Sequence, residues 1–478
     1  MQIKGKIPAM LVLLFVTMIC LVYMQSCVGT TESDHDDPDT SVSITPFTVH
    51  AGGVGNDGPP SHPMVMDDSG NVYITGSFEE TAAFGNTTLT ALNTQDIFLV
   101  KYNAEGNVVW VKQGAGTSTD MAYSIARDAQ NNIYITGMFH ESITFDNVKL
   151  TAVGLTDTFI AKYTSAGELV WVKRDGGGAD GLNKSRGRSI TLDTSGNIYI
   201  AGTFVGNVVF GTTRLSADSR FYYNMYIAKY NPAGVLQWVT QATGNSSGES
   251  IAVDQSGSIY VTGSFGGTVA WGNTTLASIG EEGEEDIFLA KYTTEGKLLW
   301  VKSYGGKGFS VAYVVALDAA GDPYITGFFQ DVVAFGATKL KSGAPMFDMF
   351  VMKCDKNGEA QWAHQAGTEA MGYDLFIDDG NIYLTGSLQG TAIIGSATLN
   401  TSGHPNVLVA CYTAAGDVKW AQIAGGTASS IQAGNGIGID RSGSIVIAGY
   451  FSETFTVDNT SVTSAGGTDV LVFKYMPE

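Results

Sequence analysis

Cysteine and histidine, which supply many metal ligands and nucleophiles in proteins, are scarce in this sequence. It holds 4 cysteines and 6 histidines in 478 residues, and the histidines stand too far apart for a local zinc motif. The Gly-x-x-x-x-Gly-Lys-Ser/Thr loop that holds nucleotide phosphates is also absent. From these absences we predict no catalytic residue, no metal site and no cofactor.

Positive charge is scarce as well. The chain has 26 Lys and Arg against 46 Asp and Glu, which gives a formal net charge of -20. Nucleic-acid binding needs clustered basic side chains, so the composition argues against a nucleic-acid partner. It argues equally against docking on anionic lipid by charge. A strongly acidic surface favours solubility and weak self-association, and we expect a monomer.

Long apolar runs are limited to the N-terminus, where residues 9–23 follow two lysines. A basic start and an apolar stretch are typical of an export signal. Residues 24–27, Met-Gln-Ser-Cys, resemble the site at which lipoprotein signals are cut before an acylated cysteine. We predict residues 1–26 as a lipoprotein signal peptide and Cys27 as the lipidated residue. An uncleaved transmembrane anchor is the alternative.

Residues 27–42 combine several acidic side chains with almost no apolar ones. Because such a segment cannot bury a core, we predict a flexible tether between the lipid anchor and the folded domain. Its acidic start resembles the surface-export signal of Bacteroidetes lipoproteins. We expect an outer-membrane protein exposed at the cell surface and held to the membrane by its lipid anchor only. A periplasm-facing orientation is the alternative.

Residues 43–478 are built from a repeat of about 62 residues. The clearest anchor is a segment of the type Tyr-Ile-Thr-Gly, which occurs seven times with glycines 59 to 65 residues apart. These glycines are Gly76, Gly137, Gly202, Gly263, Gly327, Gly386 and Gly449.

Each copy divides into four predicted β-strands. Strand A ends in Asp, a tight turn leads to strand B, strand C begins at Asp or Asn, and strand D holds one Trp. The last copy ends with strand C at Tyr475, so its strand D is missing. Residues 47–53 have the spacing of a strand D, with Phe47 in the Trp position. The sequence thus predicts an all-β, seven-bladed β-propeller of four-stranded blades, closed by the N-terminal strand completing the last blade.

The strand D tryptophans are predicted to be fully buried docking residues between neighbouring blades, where large aromatic rings contribute most. They are Trp110, Trp171, Trp238, Trp300, Trp362 and Trp420.

The repeat resembles a known family. The elements Asp-x-x-Gly-Asn-x-Tyr-Ile-Thr-Gly, Asp-x-Phe-x-x-Lys-Tyr and Gly-x-x-x-Trp are similar to SBBP repeats, the seven-bladed β-propeller repeats of bacterial surface proteins. The resemblance covers about residues 43–478 and implies a surface or secreted protein with no transferable catalytic residues. Gly-x-x-x-Trp also resembles quinoprotein-like propellers of envelope assembly lipoproteins, although their usual Ala-x-Asp-x-x-Thr-Gly segment is missing here.

Some polar features are interpreted as structural. The Asp that ends each strand A is expected to cap its own turn, because calcium needs about six to eight oxygen ligands. The Asp or Asn before strand C takes the same interpretation. Cys354 and Cys411 are expected to be two separate buried thiols rather than a disulfide, since adjacent strand positions point to opposite faces.

Function is expected where the repeat is broken, on the face that carries the loops between strands D and A and between strands B and C. A loop over residues 174–188 is predicted to carry a basic patch. We predict a non-catalytic surface binding or adhesion protein that recognises a glycan or a protein there. The alternatives are an envelope assembly scaffold and a glycan-acting secreted enzyme, whose paired carboxylates can be distant in sequence. The candidate ligand-binding residues are Tyr123, Arg186, Tyr222, Phe309, Tyr313 and Tyr373.

Overall fold

The computed structural model of the chain describes residues 47–58, 62–178, 181–217, 222–343, 347–367, 369–401, 403–425, 430–457 and 460–476. The predicted signal peptide, Cys27 and the tether lie outside these residues. The described part is all-β and contains no helix. Among the described residues, therefore, no helix is present that could span a membrane.

The strands are numbered in chain order. The first nineteen are β1 (Thr48–Gly53), β2 (Met64–Met66), β3 (Val72–Phe78), β4 (Thr81–Phe84), β5 (Thr87–Thr90), β6 (Asp96–Tyr102), β7 (Val108–Gly116), β8 (Met121–Arg127), β9 (Ile133–Phe145), β10 (Val148–Tyr163), β11 (Leu169–Asp175), β12 (Lys184–Leu192), β13 (Ile198–Val205), β14 (Asn207–Phe210), β15 (Thr213–Ser216), β16 (Asn224–Tyr230), β17 (Leu236–Gln241), β18 (Ser246–Val253) and β19 (Ile259–Gly266).

The others are β20 (Thr268–Trp271), β21 (Thr274–Ala277), β22 (Glu285–Tyr292), β23 (Leu298–Lys307), β24 (Ser310–Leu317), β25 (Pro323–Phe329), β26 (Val332–Phe335), β27 (Thr338–Lys341), β28 (Asp348–Cys354), β29 (Ala360–Ala366), β30 (Ala370–Asp378), β31 (Asn381–Leu388), β32 (Thr391–Ile394), β33 (Ala397–Asn400), β34 (Asn406–Thr413), β35 (Val418–Ala424), β36 (Gln432–Ile439), β37 (Ile445–Val457) and β38 (Thr460–Tyr475).

Each repeat copy forms an antiparallel meander of four strands, A to D, and we number these units 1 to 7 in chain order. The four-strand sets are β2-β3-β6-β7, β8-β9-β10-β11, β12-β13-β16-β17, β18-β19-β22-β23, β24-β25-β28-β29, β30-β31-β34-β35 and β36-β37-β38-β1. The architecture is all-β and propeller-like, and no sheet in the described part of the chain closes on itself.

The N-terminal strand β1 lies beside the last strand of the chain. Thr48 to Ala51 pair with Phe473 to Val470 of β38, and the next two residues of β1 pair with β4. The backbone N–H of Lys474 also donates to the carbonyl oxygen of Phe47, at 3.2 Å. Unit 7 therefore takes its strand D from the N-terminal end of the described chain.

Apolar packing lies between the units rather than within them. The described residues form seven buried clusters, and each draws its side chains from two neighbouring units. One cluster unites Val72 and Phe98 of unit 1 with Val446 and Val472 of unit 7. Because side chains alternate between the two faces of a strand, each sheet contributes to two such seams.

The strand D tryptophans are only half-buried, which corrects the expectation of full burial. Strand D is the outermost strand of its unit, so one side of the ring meets solvent. The other side covers the turn between strands C and D of the next unit, where a Cβ added to Gly296 would lie 2.9 Å from Trp238. The indole N–H of Trp238 donates to the carbonyl oxygen of Thr294 in that turn, at 3.1 Å.

Phe47 occupies the same position between units 7 and 1. A Cβ added to Gly106, in the turn between strands C and D of unit 1, would meet the Phe47 ring at 2.4 Å. The seam between the last and first units therefore repeats the contact that Trp makes elsewhere, with a smaller ring.

The carboxylates that end strand A cap their own turns in six units, as predicted. Asp193, for example, accepts hydrogen bonds from the backbone N–H groups of Ser195 and Asn197, each at 2.9 Å. Unit 6 departs from this pattern, because β30 pairs directly up to Asp378 and the turn holds two residues. Asp379 and Gly380 there both have positive φ, which is the two-residue hairpin geometry.

The acidic residues at the start of strand C also accept hydrogen bonds from backbone N–H groups. Asp96 is fully buried and accepts hydrogen bonds from the N–H groups of Gly116 and Leu92, at 3.0 and 3.1 Å. Burial raises the pKa of the equivalent carboxyl of Asp348 to about 6. These repeated groups hold loops in place. Cys354 and Cys411 are both free and buried, as expected.

Candidate functional site

Strand A carries a β-bulge near its start in units 2 to 7, where one extra residue interrupts the pairing with strand B. In unit 1, His62 takes the position of the bulged residue, because the carbonyl oxygen of the next residue, Pro63, accepts a hydrogen bond from the N–H of Thr75 on strand B. Each of these residues stands five positions before the Asp that ends strand A. We call them the axial ring: His62, Tyr123, Arg188, Glu249, Tyr313, Tyr373 and Asn435.

The axial ring is chemically diverse, whereas its surroundings repeat. Its residues are partly or fully buried, and several contact one another directly. The guanidinium of Arg188 lies 3.4 Å from a carboxylate oxygen of Glu249 and 5.1 Å from the centre of the Tyr123 ring. Burial opposes the charge of Arg188, but Glu249 and the nearby tyrosines outweigh it and raise the pKa of the guanidinium.

The opposite side of the axial ring is aromatic. The rings of Tyr313 and Tyr373 have their centres 5.7 Å apart and are tilted by 33°. His62 joins this side, because its Nδ1 lies 3.1 Å from a carboxylate oxygen of Asp374 and its Nε2 lies 3.2 Å from the carbonyl oxygen of Tyr313. The axial ring therefore combines two pairs of charged or titratable groups with aromatic rings.

The His62–Asp374 contact predicts a pH-dependent stability. Burial would lower the pKa of His62, but the hydrogen bond and the charge of Asp374, with a contribution from Glu249, outweigh it and raise that pKa. A raised imidazole pKa in the folded state stabilises the protein below pH about 6, and this stabilisation is lost as pH rises through the folded-state pKa. His62→Gln should lower the free energy of unfolding by about 1 kcal/mol at pH 5.5 and by less at pH 9, measured by urea denaturation.

A control for this experiment is His404→Gln, in the loop before β34, measured at the same two pH values. An equal loss for His62→Gln at both pH values would contradict the prediction.

A second arginine accompanies Arg188 on strand β12. Arg186 stands two residues earlier on this strand, just before the bulge. Its guanidinium lies 5.4 Å from the centre of the Tyr223 ring. The Nε atoms of both arginines are buried and make no hydrogen bond to the described residues.

Below the axial ring, the inner edges of the A strands are linked by side chains. Ser124 accepts the N–H of Ile190 in the next unit at 3.2 Å, and Ser189 accepts that of Ile251 at 3.3 Å. Ser250 and Asp374 do the same for Val315 and Ile437. These bonds occupy backbone donors that an inner strand edge would otherwise expose.

The A strands enclose a cavity of about 520 Å³. It extends from His62 and Ser124 to Arg127 and Arg441, which lie near the turns between strands A and B. Both arginines approach Asp68 there, at 3.6 and 3.1 Å. None of the six residues proposed from sequence as ligand contacts lines this cavity.

The structure brings together three of the predicted site residues, Tyr123, Tyr313 and Tyr373, in the axial ring. Arg186 lies beside them on β12. Tyr222 and Phe309 lie outside the ring, before β16 and before β24, and Tyr222 is exposed. His62, Glu249 and Asn435 were not among the predicted site residues, although their constant distance from the Asp that ends strand A would have identified them.

The predicted loop over residues 174–188 is corrected. Arg174 belongs to β11 and pairs with the buried carboxylate of Asp157 at 2.7 Å, whereas Lys184, Arg186 and Arg188 lie in β12. The basic patch is thus divided, because Arg174 and Arg188 are each neutralised by a separate carboxylate. Arg186 makes no ion pair within the described part of the chain.

Residues 244–248, Gly-Asn-Ser-Ser-Gly, match the letters of the Gly-x-Ser-x-Gly nucleophile motif. Their structure does not fit that chemistry. Ser246 is buried at the start of β18, donates to the carbonyl oxygen of Gly244 and accepts the N–H of Met225. A nucleophile of this type stands exposed on a strand-to-helix turn, and no helix occurs among the described residues. They also hold no cluster of three or more His, Cys, Asp or Glu side chains suited to a metal ion.

Comparison with known families identifies the repeat. A family model described as SBBP, Beta-propeller repeat, matches residues 237–264. The match runs from β17, which holds Trp238, through the bulge at Glu249 to β19. The resemblance to SBBP repeats drawn from the sequence is confirmed at these residues, and the match carries no information about cellular location.

Relatives and structural neighbours are distant. An uncharacterized WD repeat-containing protein of Acanthamoeba polyphaga mimivirus is 25% identical over 448 residues, covering 74% of this chain and 32% of that protein. This chain thus spans about a third of that relative's length.

Similar solved structures include YCF48 bound to D1 peptide, with 8% identity, a TM-score of 0.41 and coverage of 92% of this chain and 100% of that one. A protein of unknown function from Bacteroides caccae has 12% identity and a TM-score of 0.33, over 68% of this chain and 89% of that one. A glycoside hydrolase of family 32 from Bifidobacterium adolescentis has 9% identity and a TM-score of 0.30, over 92% and 80%. Similarity at this level carries no argument about function.

Proposed function

Because residues 237–264 carry an SBBP β-propeller repeat, we propose that this protein is a non-catalytic binding module that holds its ligand at the axial ring. The single observation behind the proposal is the contrast within strand A. Units 2 to 7 share the bulge and His62 takes the corresponding place in unit 1, yet these positions carry imidazole, phenol, guanidinium, carboxylate and amide groups. Repeated residues maintain the fold, whereas a position of constant geometry and varied chemistry is suited to recognition.

We further propose that the seven units are the blades of one closed ring, completed by β1. Support comes from the pairing of β1 with β38, from the buried cluster that unites units 7 and 1, and from Phe47 on the turn glycine of unit 1. In such a ring the axial residues face a common centre. Residues from distant parts of the chain would then meet a single ligand.

The ligand is proposed to be a glycan or a protein segment that stacks on the Tyr313–Tyr373 pair. Tyr313→Ala and Tyr373→Ala should each weaken binding about tenfold, which corresponds to about 1.4 kcal/mol for a lost aromatic contact. The ligand is first selected on a glycan array and a peptide array with residues 43–478, and affinities are then measured by titration calorimetry.

Tyr222→Ala is the matched control, since Tyr222 is exposed outside the ring. Unchanged affinity in both ring variants, with a loss in Tyr222→Ala, would move the site to the loops between strands B and C.

The location proposed from the sequence is the outer surface of the outer membrane, by way of a lipid on Cys27. Treating intact cells with protease distinguishes this orientation from a periplasmic one. Digestion of the domain on unbroken cells supports surface display, and protection until the cells are lysed contradicts it.

One observation favours a second candidate function, cleavage of a bound glycan. Ser247 and Ser264 are direct cross-strand partners, so their side chains lie on one face. Ser247 donates to Glu249, and Ser264 donates to Glu285 at 2.6 Å. Burial, together with the charge of Glu249, raises the pKa of Glu285. A pair of neighbouring carboxyls, one of them with a raised pKa, is an arrangement that glycosidases use.

The test of this second function is the release of reducing sugar from a bound glycan. Glu285→Gln would abolish such release while leaving binding intact. Without turnover of any bound glycan, the non-catalytic function stands.

A further inference from the structure

Arg186 has an environment that structural arginines rarely have. Its side chain is partly buried, it makes no ion pair among the described residues, and its Nε atom has no hydrogen-bond partner there. A buried charged donor without a partner is costly, so it points to an acceptor that the protein itself does not provide. Stacking on the Tyr223 ring fixes the plane of the Arg186 guanidinium. This contact provides no hydrogen-bond acceptor for the guanidinium N–H groups.

The neighbouring charges decide what that acceptor is. Arg188 is already paired with Glu249, whereas Arg186, the other arginine of strand β12, makes no ion pair among the described residues. A guanidinium binds a carboxylate through two parallel N–H···O bonds, and this geometry suits a planar anion. The ligand therefore needs a carboxylate on the Arg186 side.

The aromatic side of the ring decides what carries the carboxylate. Tyr123 and Tyr223 each hold an arginine against one ring face, so the aromatic pair Tyr313 and Tyr373 is the part of the ring suited to stack on the C–H face of a sugar. A peptide strand would instead need free backbone donors on an inner strand edge. Several of these donors are already bonded to Ser124, Ser189, Ser250 and Asp374 of neighbouring units. These features favour a sugar over a peptide.

We propose that the axial ring binds an acidic glycan, with the carboxylate of a uronic acid residue held by the fork of Arg186 and its sugar ring stacked on the tyrosines. This inference rests on the proposed binding function and names its ligand class. Arg188 and Glu249 remain paired beside the carboxylate and position it by repulsion from Glu249 and attraction to Arg186.

The experiment uses residues 43–478 and three pairs of oligosaccharides, built from galacturonate, glucuronate or mannuronate, each as the free acid and as the methyl ester. At least one free acid should bind, and its methyl ester should bind about tenfold more weakly or worse. Arg186→Gln should reduce binding of the acid to the level of the ester. Arg186→Lys keeps the charge without the fork and should give an intermediate affinity.

Arg214→Gln is the matched control, because Arg214 is exposed on the β14–β15 hairpin away from strand A. Thermal unfolding of each variant checks that Arg186→Gln still folds, and Arg186→Lys gives a second measurement if it does not. Equal binding of acid and ester, or full affinity in both Arg186 variants, would overturn the inference.

Other outcomes separate this inference from the proposed function. If neutral glycans bind and lose affinity in Tyr313→Ala but not in Arg186→Gln, the binding function stands and the acidic ligand is wrong. Binding of a poly-glutamate peptide or a sulfated glycan in place of every uronate likewise overturns the ligand class. If neither acidic nor neutral glycans nor peptides bind, both proposals fail.

Discussion

A chain that begins at Val54 should be less stable than one that begins at Phe47, by about 5 kcal/mol in the free energy of unfolding. The shorter chain loses the four pairs that β1 makes with β38 and the two pairs that it makes with β4. It also loses the burial of Ala51 and the cover that Phe47 gives to Gly106. At about 1 kcal/mol for each lost backbone hydrogen bond, the lost pairing alone accounts for the expected difference, and the lost apolar contacts add to it.

Both chains lack the predicted signal and tether, so they differ only by β1 and the residue before it. Guanidinium denaturation followed by circular dichroism gives the free energy, and light scattering reports self-association through the exposed edge of β38. A Val54 chain as stable and as monomeric as the Phe47 chain would show that β1 does not complete the last unit.

The second large effect concerns the turn glycine under each tryptophan. Gly296→Ala should cost about 3 kcal/mol, because two penalties add. Gly296 has a φ of 79°, a conformation that costs a residue with a Cβ about 1–2 kcal/mol. The new Cβ would also lie 2.9 Å from Trp238, which must then leave its position over the turn.

Gly443→Ala carries the backbone penalty without the contact with a tryptophan, so the difference between the two variants gives the second penalty. Gly443 has nearly the same φ, 81°, but a Cβ there would meet nothing within 4 Å. It should cost only about 1 kcal/mol, the backbone share. In a Trp238→Ala background the two glycine substitutions should become equal in cost. If Gly296→Ala still costs more there, the indole is not the obstacle.

The repeat itself was predictable from the sequence because turns leave strong local signals. A Tyr-Ile-Thr-Gly strand, an Asp-capped turn and a Trp at fixed distance recur, so strand order and the partner of residues 48–51 follow from spacing. The half-burial of the tryptophans was not predictable in this way. Burial depends on whether a strand is innermost or outermost, which the apolar pattern does not encode.

The candidate site was only partly predictable. Tyr123, Tyr313 and Tyr373 were found because aromatic residues in predicted loops are conspicuous, while Glu249 and Asn435 resemble ordinary surface residues. The bulge that brings them together is a feature of pairing, and no residue type marks it. The ion pairs were also not predictable from the sequence, because Arg174 and Arg188 pair with carboxylates on other strands, those of Asp157 and Glu249.

The pairing of Thr48 with Phe473 also sets an order of events during synthesis. The first strand of the described chain emerges from the ribosome hundreds of residues before its partner, a delay on the order of 20–90 s at about 5–20 residues per second. Through that interval β1 must stay solvated without recruiting a strand from another molecule. Its sequence, Thr-Val-His-Ala-Gly-Gly, is short and rich in glycine, which makes it a poor seed for intermolecular β-structure while it waits.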